Sequence, residues 1–87
     1  MKKRLVILGA GESGVGAAVL GLKQGYDVFV SDKSTIAPKY LTMLNDYAVQ
    51  YESGQHTEEK ILNADVVMKS PGIPEKVEIV KKIREKY

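Results

Sequence analysis

The chain has 87 residues, 44% hydrophobic and 28% charged, the make-up of an ordinary folded domain rather than a disordered tract. At about 150 residues per domain it amounts to one small domain or a piece of a longer chain, and at this size it buries roughly 60% or somewhat more of its unfolded surface. Zero cysteines exclude disulfides and thiolate metal sites, one histidine excludes any site that needs two, and a net charge of +2 is too weak for a nucleic-acid footprint.

Lys2, Lys3 and Arg4 lead into a short apolar run, which is not the pattern of a signal peptide. That run, Arg4 to Leu8, stops at Gly9 and predicts a strand buried on both faces of a parallel sheet. Val15 to Gln24 carries Val15, Ala18, Val19 and Leu22 at helical spacing, and Gly25 closes the helix. Within it the run Gly14 to Leu22 is uncharged but far short of a membrane span. Asp27 to Asp32 reads as a second strand. Pro38 suits the first turn of a helix whose apolar stripe is Tyr40, Leu41, Leu44, Tyr47 and Ala48. Val49 to Tyr51 is a short third strand, Gly54 marks a turn, and Thr57 stands where it would cap a short helix through Leu62. Asp65 to Lys69 is the fourth strand. Pro74 then opens a last helix with Val77, Val80, Ile83 and Tyr87 inward.

Strands and helices alternate throughout, so the expected fold is α/β. It is a Rossmann-like open parallel sheet in the order 3-2-1-4, with helices on both faces and right-handed crossovers. A fifth strand normally follows the last helix. Without it the fourth strand is an exposed edge, an aggregation hazard, and the expectation is of a domain truncated from a longer protein.

Gly9 to Gly14 spells G-x-G-x-x-G directly after the first strand and at the head of the first helix. Gly9 permits the tight turn, Gly11 lets a phosphate approach the backbone, and Gly14 lets the helix pack close to the sheet. The free N–H groups of the first turn and the helix dipole then face an anion. Ser13 adds a hydroxyl, and Glu12 is expected to point to solvent. Gly16 and Gly21 lie inside the helix, where each costs about 1 kcal/mol against Ala, and close packing on the strands is the expected compensation.

Asp32 ends the second strand at the place where a dinucleotide fold binds a ribose hydroxyl. The same carboxylate would serve equally to accept the ring N–H of a uracil, or to make a turn. Ligands held only by the glycine loop, such as pyrophosphate, are expected to be nearly indifferent to the loss of Asp32, or to bind slightly better once its negative charge is gone. Ser70-Pro71-Gly72-Ile73-Pro74 ends the fourth strand beside the glycine loop, as a stiff wall for a flat base or as a plain turn. His56, in a polar loop, reads as a surface residue without a role rather than a ligand-binding one, and the tyrosines as core or half-buried packing.

Taken together, Val6 to Gly14, Val30-Ser31-Asp32, Gly54-Gln55-His56 and Ala64 to Pro74 resemble the N-terminal domain of the Mur ligases, most of all the D-glutamate-adding members. The likeness spans nearly the whole chain, and its specific part is the Ser-Pro-Gly-Ile-Pro loop with Gly-x-His upstream. It implies a three-domain, ATP-dependent ligase of cytoplasmic peptidoglycan synthesis whose N-terminal domain, residues 1–87 here, grips the UDP of UDP-N-acetylmuramoyl-L-alanine. Carried over by position, Gly11, Glu12, Ser13 and Gly14 meet the pyrophosphate. Asp32 and Lys33 meet the uracil edge, and Ser70, Pro71 and Gly72 flank the base. Some members place an arginine over the uracil where this chain has Ser34. ATP and Mg would belong to the central domain, and the incoming amino acid to the third. This chain has no G-x-x-x-x-G-K-[ST] loop, so it is expected to hold no cofactor, carry no catalytic residue and be inactive alone. No metal, nucleic acid or membrane is implied. Two other readings stay open: an NAD(P)-binding Rossmann domain of a dehydrogenase or regulatory protein, and an interaction module with an empty loop.

Overall fold

A computed structural model describes residues 2–70 and 78–86. Its elements follow in the order β1 (Arg4–Leu8), α1 (Glu12–Lys23), β2 (Asp27–Asp32), α2 (Pro38–Asp46), β3 (Gln50–Ser53), α3 (Glu58–Ile61), β4 (Val66–Lys69) and α4 (Glu78–Lys86). The strands form a four-stranded sheet in the order β3-β2-β1-β4, every pair parallel. The expected α/β class and strand order are therefore observed. Among the described residues β3 and β4 are the edges.

The alternation of side chains along a strand divides the core in two. Leu5 and Ile7 of β1 and Val28 and Val30 of β2 face Val15 and Ala18 of α1, Leu44 of α2, Ile36 and Val49. Val6, Leu8 and Phe29 face the other way, onto Ile61 of α3, Ala64 and Val80 of α4. Both faces of β1 are thus dry, which is why its run is continuously apolar. At the edge the same logic leaves β4 half covered: Val66 is 41% and Met68 48% exposed.

Four local expectations are corrected. Gly21 does need its hydrogen, because a Cβ there would lie 2.7 Å from Leu5 and 3.2 Å from Val28, but Gly16 is exposed with nothing within 4 Å, so packing does not account for it. The stripe of α2 ends early, since the helix stops at Asp46 and Tyr47 and Ala48 are exposed beyond it. Ala48 adopts a left-handed φ of 55°, a position that favours glycine or asparagine. Tyr26, Tyr40 and Tyr51 are half-buried as expected, whereas Tyr47 is 47% exposed. The third strand runs on to Ser53 and carries a buried charge, Glu52. Of the expected inward stripe of the last helix, Val80 is buried and Ile83 half-buried; Pro74, Val77 and Tyr87 lie outside the described residues.

Candidate functional site

The glycine loop connects the carboxyl end of β1 to α1. Gly9 has φ 101°, a conformation strained for any side chain, and its N–H donates to the Ser31 carbonyl at 2.8 Å. A Cβ on Gly14 would fall 1.9 Å from the Gly9 carbonyl oxygen, so the helix rests directly on the turn. Gly11 is the N-cap and offers no side-chain cap; a Cβ there would meet nothing within 4 Å. The first intrahelical bond runs from Val15 N–H to the Gly11 carbonyl at 2.9 Å. The N–H groups of Glu12, Ser13 and Gly14 therefore precede the helical ladder and point out of its positive end. Glu12 and Ser13 are exposed, Glu12 as expected.

Asp32 closes this loop from the side. Its Oδ2 accepts from Ala10 N–H at 2.8 Å and its Oδ1 from Ser34 N–H at 2.8 Å. The carboxylate thus makes an Asx turn into the β2–α2 connection and at the same time pins the glycine loop. That bond gives the glycine loop a direct structural dependence on Asp32. Each oxygen keeps a second lone pair, so the group can still accept from a ligand. Lys33 is exposed beside it, and Ser34 accepts from Gly54 N–H at 3.1 Å. Ser70 N–H donates to the Leu8 carbonyl at 2.9 Å, and its Oγ lies 3.4 Å from where a Gly14 Cβ would stand. Residues 11–14, Asp32 and Ser70 therefore converge at the carboxyl ends of β1, β2 and β4, the crevice where parallel sheets take ligands. Pro71 and Gly72 lie outside the described residues.

Sequence reasoning overlooked a second cluster one strand over. Glu52 is only 7% exposed and Ser31 is fully buried. The Glu52 carboxylate accepts from Ser31 Oγ at 2.8 Å, from Thr57 N–H at 2.8 Å and from Thr57 Oγ1 at 2.5 Å. Thr57 occupies the N-cap position of α3, but its hydroxyl serves Glu52 instead of the helix. Ser31 Oγ also lies 2.7 Å from His56 Nδ1, so His56 is a half-buried network member and not a surface residue without a role. Burial pushes the Glu52 carboxyl up, but the hydrogen bonds from Thr57, Ser31 and Gln55 outweigh it and hold the group below 4.5. His56 is held below 6.5, chiefly by burial, against the opposing pull of Glu52 and Asp32. The available signal was a carboxylate in register with a serine, one strand from a Gly-x-His-Thr turn.

The sequence model of the MurD N-terminal domain matches residues 4–79. The chain belongs to the MurD N-terminal domain family. Curated relatives within reach of it are named UDP-N-acetylmuramoylalanine–D-glutamate ligase. The one from Christiangramia forsetii is 55% identical over 86 residues, covering 99% of this chain. That from Porphyromonas gingivalis is 56% identical over 81 residues, and that from Ligilactobacillus salivarius 41% identical over 75 residues, covering 93% and 83% of this chain. The chain spans about a fifth of the length of these relatives, 19%, 18% and 16% respectively. Among solved structures, a pseudomurein peptide ligase type C from Methanothermus fervidus superposes with a TM-score of 0.84 at 22% identity, over 98% of this chain and 18% of that one. That likeness establishes a shared fold. Among the described residues no helix is long and apolar enough to cross a membrane.

Proposed function

We propose that this MurD N-terminal domain binds the uridine nucleotide of UDP-N-acetylmuramoyl-L-alanine as one part of a longer, ATP-dependent ligase that adds D-glutamate in cytoplasmic peptidoglycan synthesis. The observation that carries the proposal is identity above half, across nearly the whole chain, with ligases named for that substrate.

The geometry supports a division of labour within the site. The pyrophosphate sits against the N–H groups of Glu12, Ser13 and Gly14, where Gly11 leaves the backbone bare and the helix dipole favours negative charge. The Ser13 hydroxyl adds a donor. Uracil presents one ring N–H between two carbonyls. A spare lone pair of Asp32 takes that N–H, with Lys33 alongside. Ser70 borders the same crevice, close to the start of α1. Ser34 cannot cover the base as an arginine plane would, and the ammonium of Lys33 does not replace a stacked guanidinium. No residue of this chain is assigned to ATP or Mg. In the whole ligase ATP would convert the muramoyl-alanine carboxylate to an acyl phosphate with release of ADP. Attack by the D-glutamate amine would then form the amide and expel phosphate. Both steps belong to the central and third domains of that longer chain.

The test is titration of the isotope-labelled chain with UDP and, separately, with NAD. UDP should shift the amides of Gly11 to Gly14 and of Asp32 more strongly, with a dissociation constant on the order of millimolar, since contacts from other domains are missing. Tighter binding of NAD would replace this reading with the dinucleotide one.

A further inference from the structure

The Glu52–Ser31–His56 chain has a proton arrangement that follows from its geometry. Glu52 is ionised, its carboxyl held below 4.5, so it has no proton to give. The 2.8 Å contact between Ser31 Oγ and Glu52 Oε2 is then a hydrogen bond only if the serine hydroxyl donates. Ser31 has a single proton, and a carboxylate at 2.8 Å is a stronger acceptor than the Gln55 carbonyl at 3.2 Å. The remaining contact, 2.7 Å between Ser31 Oγ and His56 Nδ1, must take its proton from the imidazole. His56 is thereby fixed with hydrogen on Nδ1 and, when neutral, a bare lone pair on Nε2. Among the described residues no buried side-chain nitrogen or oxygen lacks a partner, and none is bonded to Nε2, so Nε2 reaches the surface.

That surface lies at the nucleotide end of the sheet. Gly54 N–H and Gln55 N–H both donate to the Asp32 carbonyl, at 2.8 and 3.2 Å, which hangs the 54–56 turn on the last residue of β2. The charges of Asp32 and Lys33 both act on His56. A buried charge network that does nothing but support a turn is a costly device, because stripping water from a carboxylate needs several good bonds to offset it. One that orients an imidazole lone pair beside a ligand crevice has the form of the carboxylate-backed histidines that hold a tautomer for binding.

We propose that His56 is a ligand-binding residue of this site. Its Nε2 accepts a hydrogen bond from a ribose hydroxyl of the uridine nucleotide, and Glu52 and Ser31 act as positioning residues that hold the tautomer. The assignment rests on the uridine-nucleotide reading above. Uridine has two kinds of donor, its ring N–H and its ribose hydroxyls. Asp32 takes the first, which leaves the second for His56.

Nitrogen NMR of the imidazole, followed through a UDP titration with the glycine-loop amides as internal monitor, tests both halves. The expected result is the Nδ1–H tautomer before UDP is added, and an Nε2 resonance that moves in step with the amides of Gly11 to Gly14. His56→Asn keeps a donor near the Nδ1 position but has no acceptor where Nε2 stood. It should preserve the fold and weaken UDP about three- to tenfold, the equivalent of one net hydrogen bond. His56→Gln, whose oxygen reaches the Nε2 position, should recover part of that loss. An Nε2–H tautomer, an Nε2 resonance that stays still while the loop amides saturate, or unchanged UDP affinity in His56→Asn would overturn the assignment and leave the uridine-nucleotide reading standing. If no glycine-loop amide responds to UDP, that reading fails and the role of His56 fails with it.

Discussion

Replacing Asp32 tests whether one carboxylate holds the loop and the base together. In Asp32→Ala two acceptors vanish. Ala10 is 2% exposed, so its N–H, bonded to Asp32 at 2.8 Å, is left in a site that water enters poorly. An orphaned buried donor of this kind costs about 1–3 kcal/mol. Ser34 is exposed, so water replaces its lost acceptor and the change there should stay within about 0.5 kcal/mol. The sum is about 2 kcal/mol, which in a domain of this size lowers the melting temperature by roughly 8–16 °C. Asp32→Asn should cost less, about 1 kcal/mol, because its amide oxygen can still serve one of the two N–H donors while its NH2 cannot serve the other. Equilibrium unfolding in urea measures both changes, and hydrogen exchange at the Ala10 amide locates them. Pyrophosphate should bind the Ala variant less well than the parent, despite the removal of a repelling charge, because the loop proposed to cradle it has lost its brace. The reasoning is refuted if Asp32→Ala unfolds within about 0.5 kcal/mol of the parent, the ordinary span of surface substitutions, with Ala10 exchange unchanged.

Two glycines of the same helix should respond oppositely to alanine. Gly14→Ala puts a methyl 1.9 Å from a backbone oxygen and should cost about 3 kcal/mol or more as α1 is pushed off the turn, whereas Gly16→Ala meets open space and should gain up to about 1 kcal/mol; thermal melts of the pair decide it, and equal effects would contradict the close approach. Stability should also fall as the solution is acidified. A histidine held below 6.5 in the folded chain resists charging, so its contribution is intact above 6.5 and lost below it. A carboxyl held below 4.5 contributes above 4.5 and loses that contribution as pH drops through its folded value. The free energy of unfolding should therefore decline in two stages between pH 7 and the acid range, with Glu52→Gln abolishing the lower one. A flat profile would show that the network does not bind protons differently in the two states.

The backbone plan was legible because its signals are local. The apolar run of β1 and the alternation of elements needed nothing beyond the chain itself, and the G-x-G-x-x-G spacing located the turn between β1 and α1. What escaped were mostly interactions between strands. Glu52 looks like any surface acid in Gln50–Ser53 until register sets it opposite Ser31, and β2–β3 register is a long-range property. His56 was misread for the same reason: its partner lies 25 residues away in sequence. The end of α2 was misplaced because Ala48 takes up a left-handed turn that its residue type does not advertise. Asp32 was located correctly, but its bond to Ala10 depends on how closely β2 carries it to the glycine loop, which no spacing rule encodes.

The double grip of Asp32 has a consequence for altering ligand choice by transplantation. Because one side chain fastens residue 10 and residue 34 at once, the turn after β1 and the turn after β2 behave as a single casting. A cradle borrowed from a dinucleotide-binding domain and set into this sheet would arrive without a matching brace, and an exchanged acid would leave the resident cradle unsupported. The transferable unit is the pair, residues 9–14 together with 32–36, and chimaeras that respect that boundary should fold where single-loop swaps collapse.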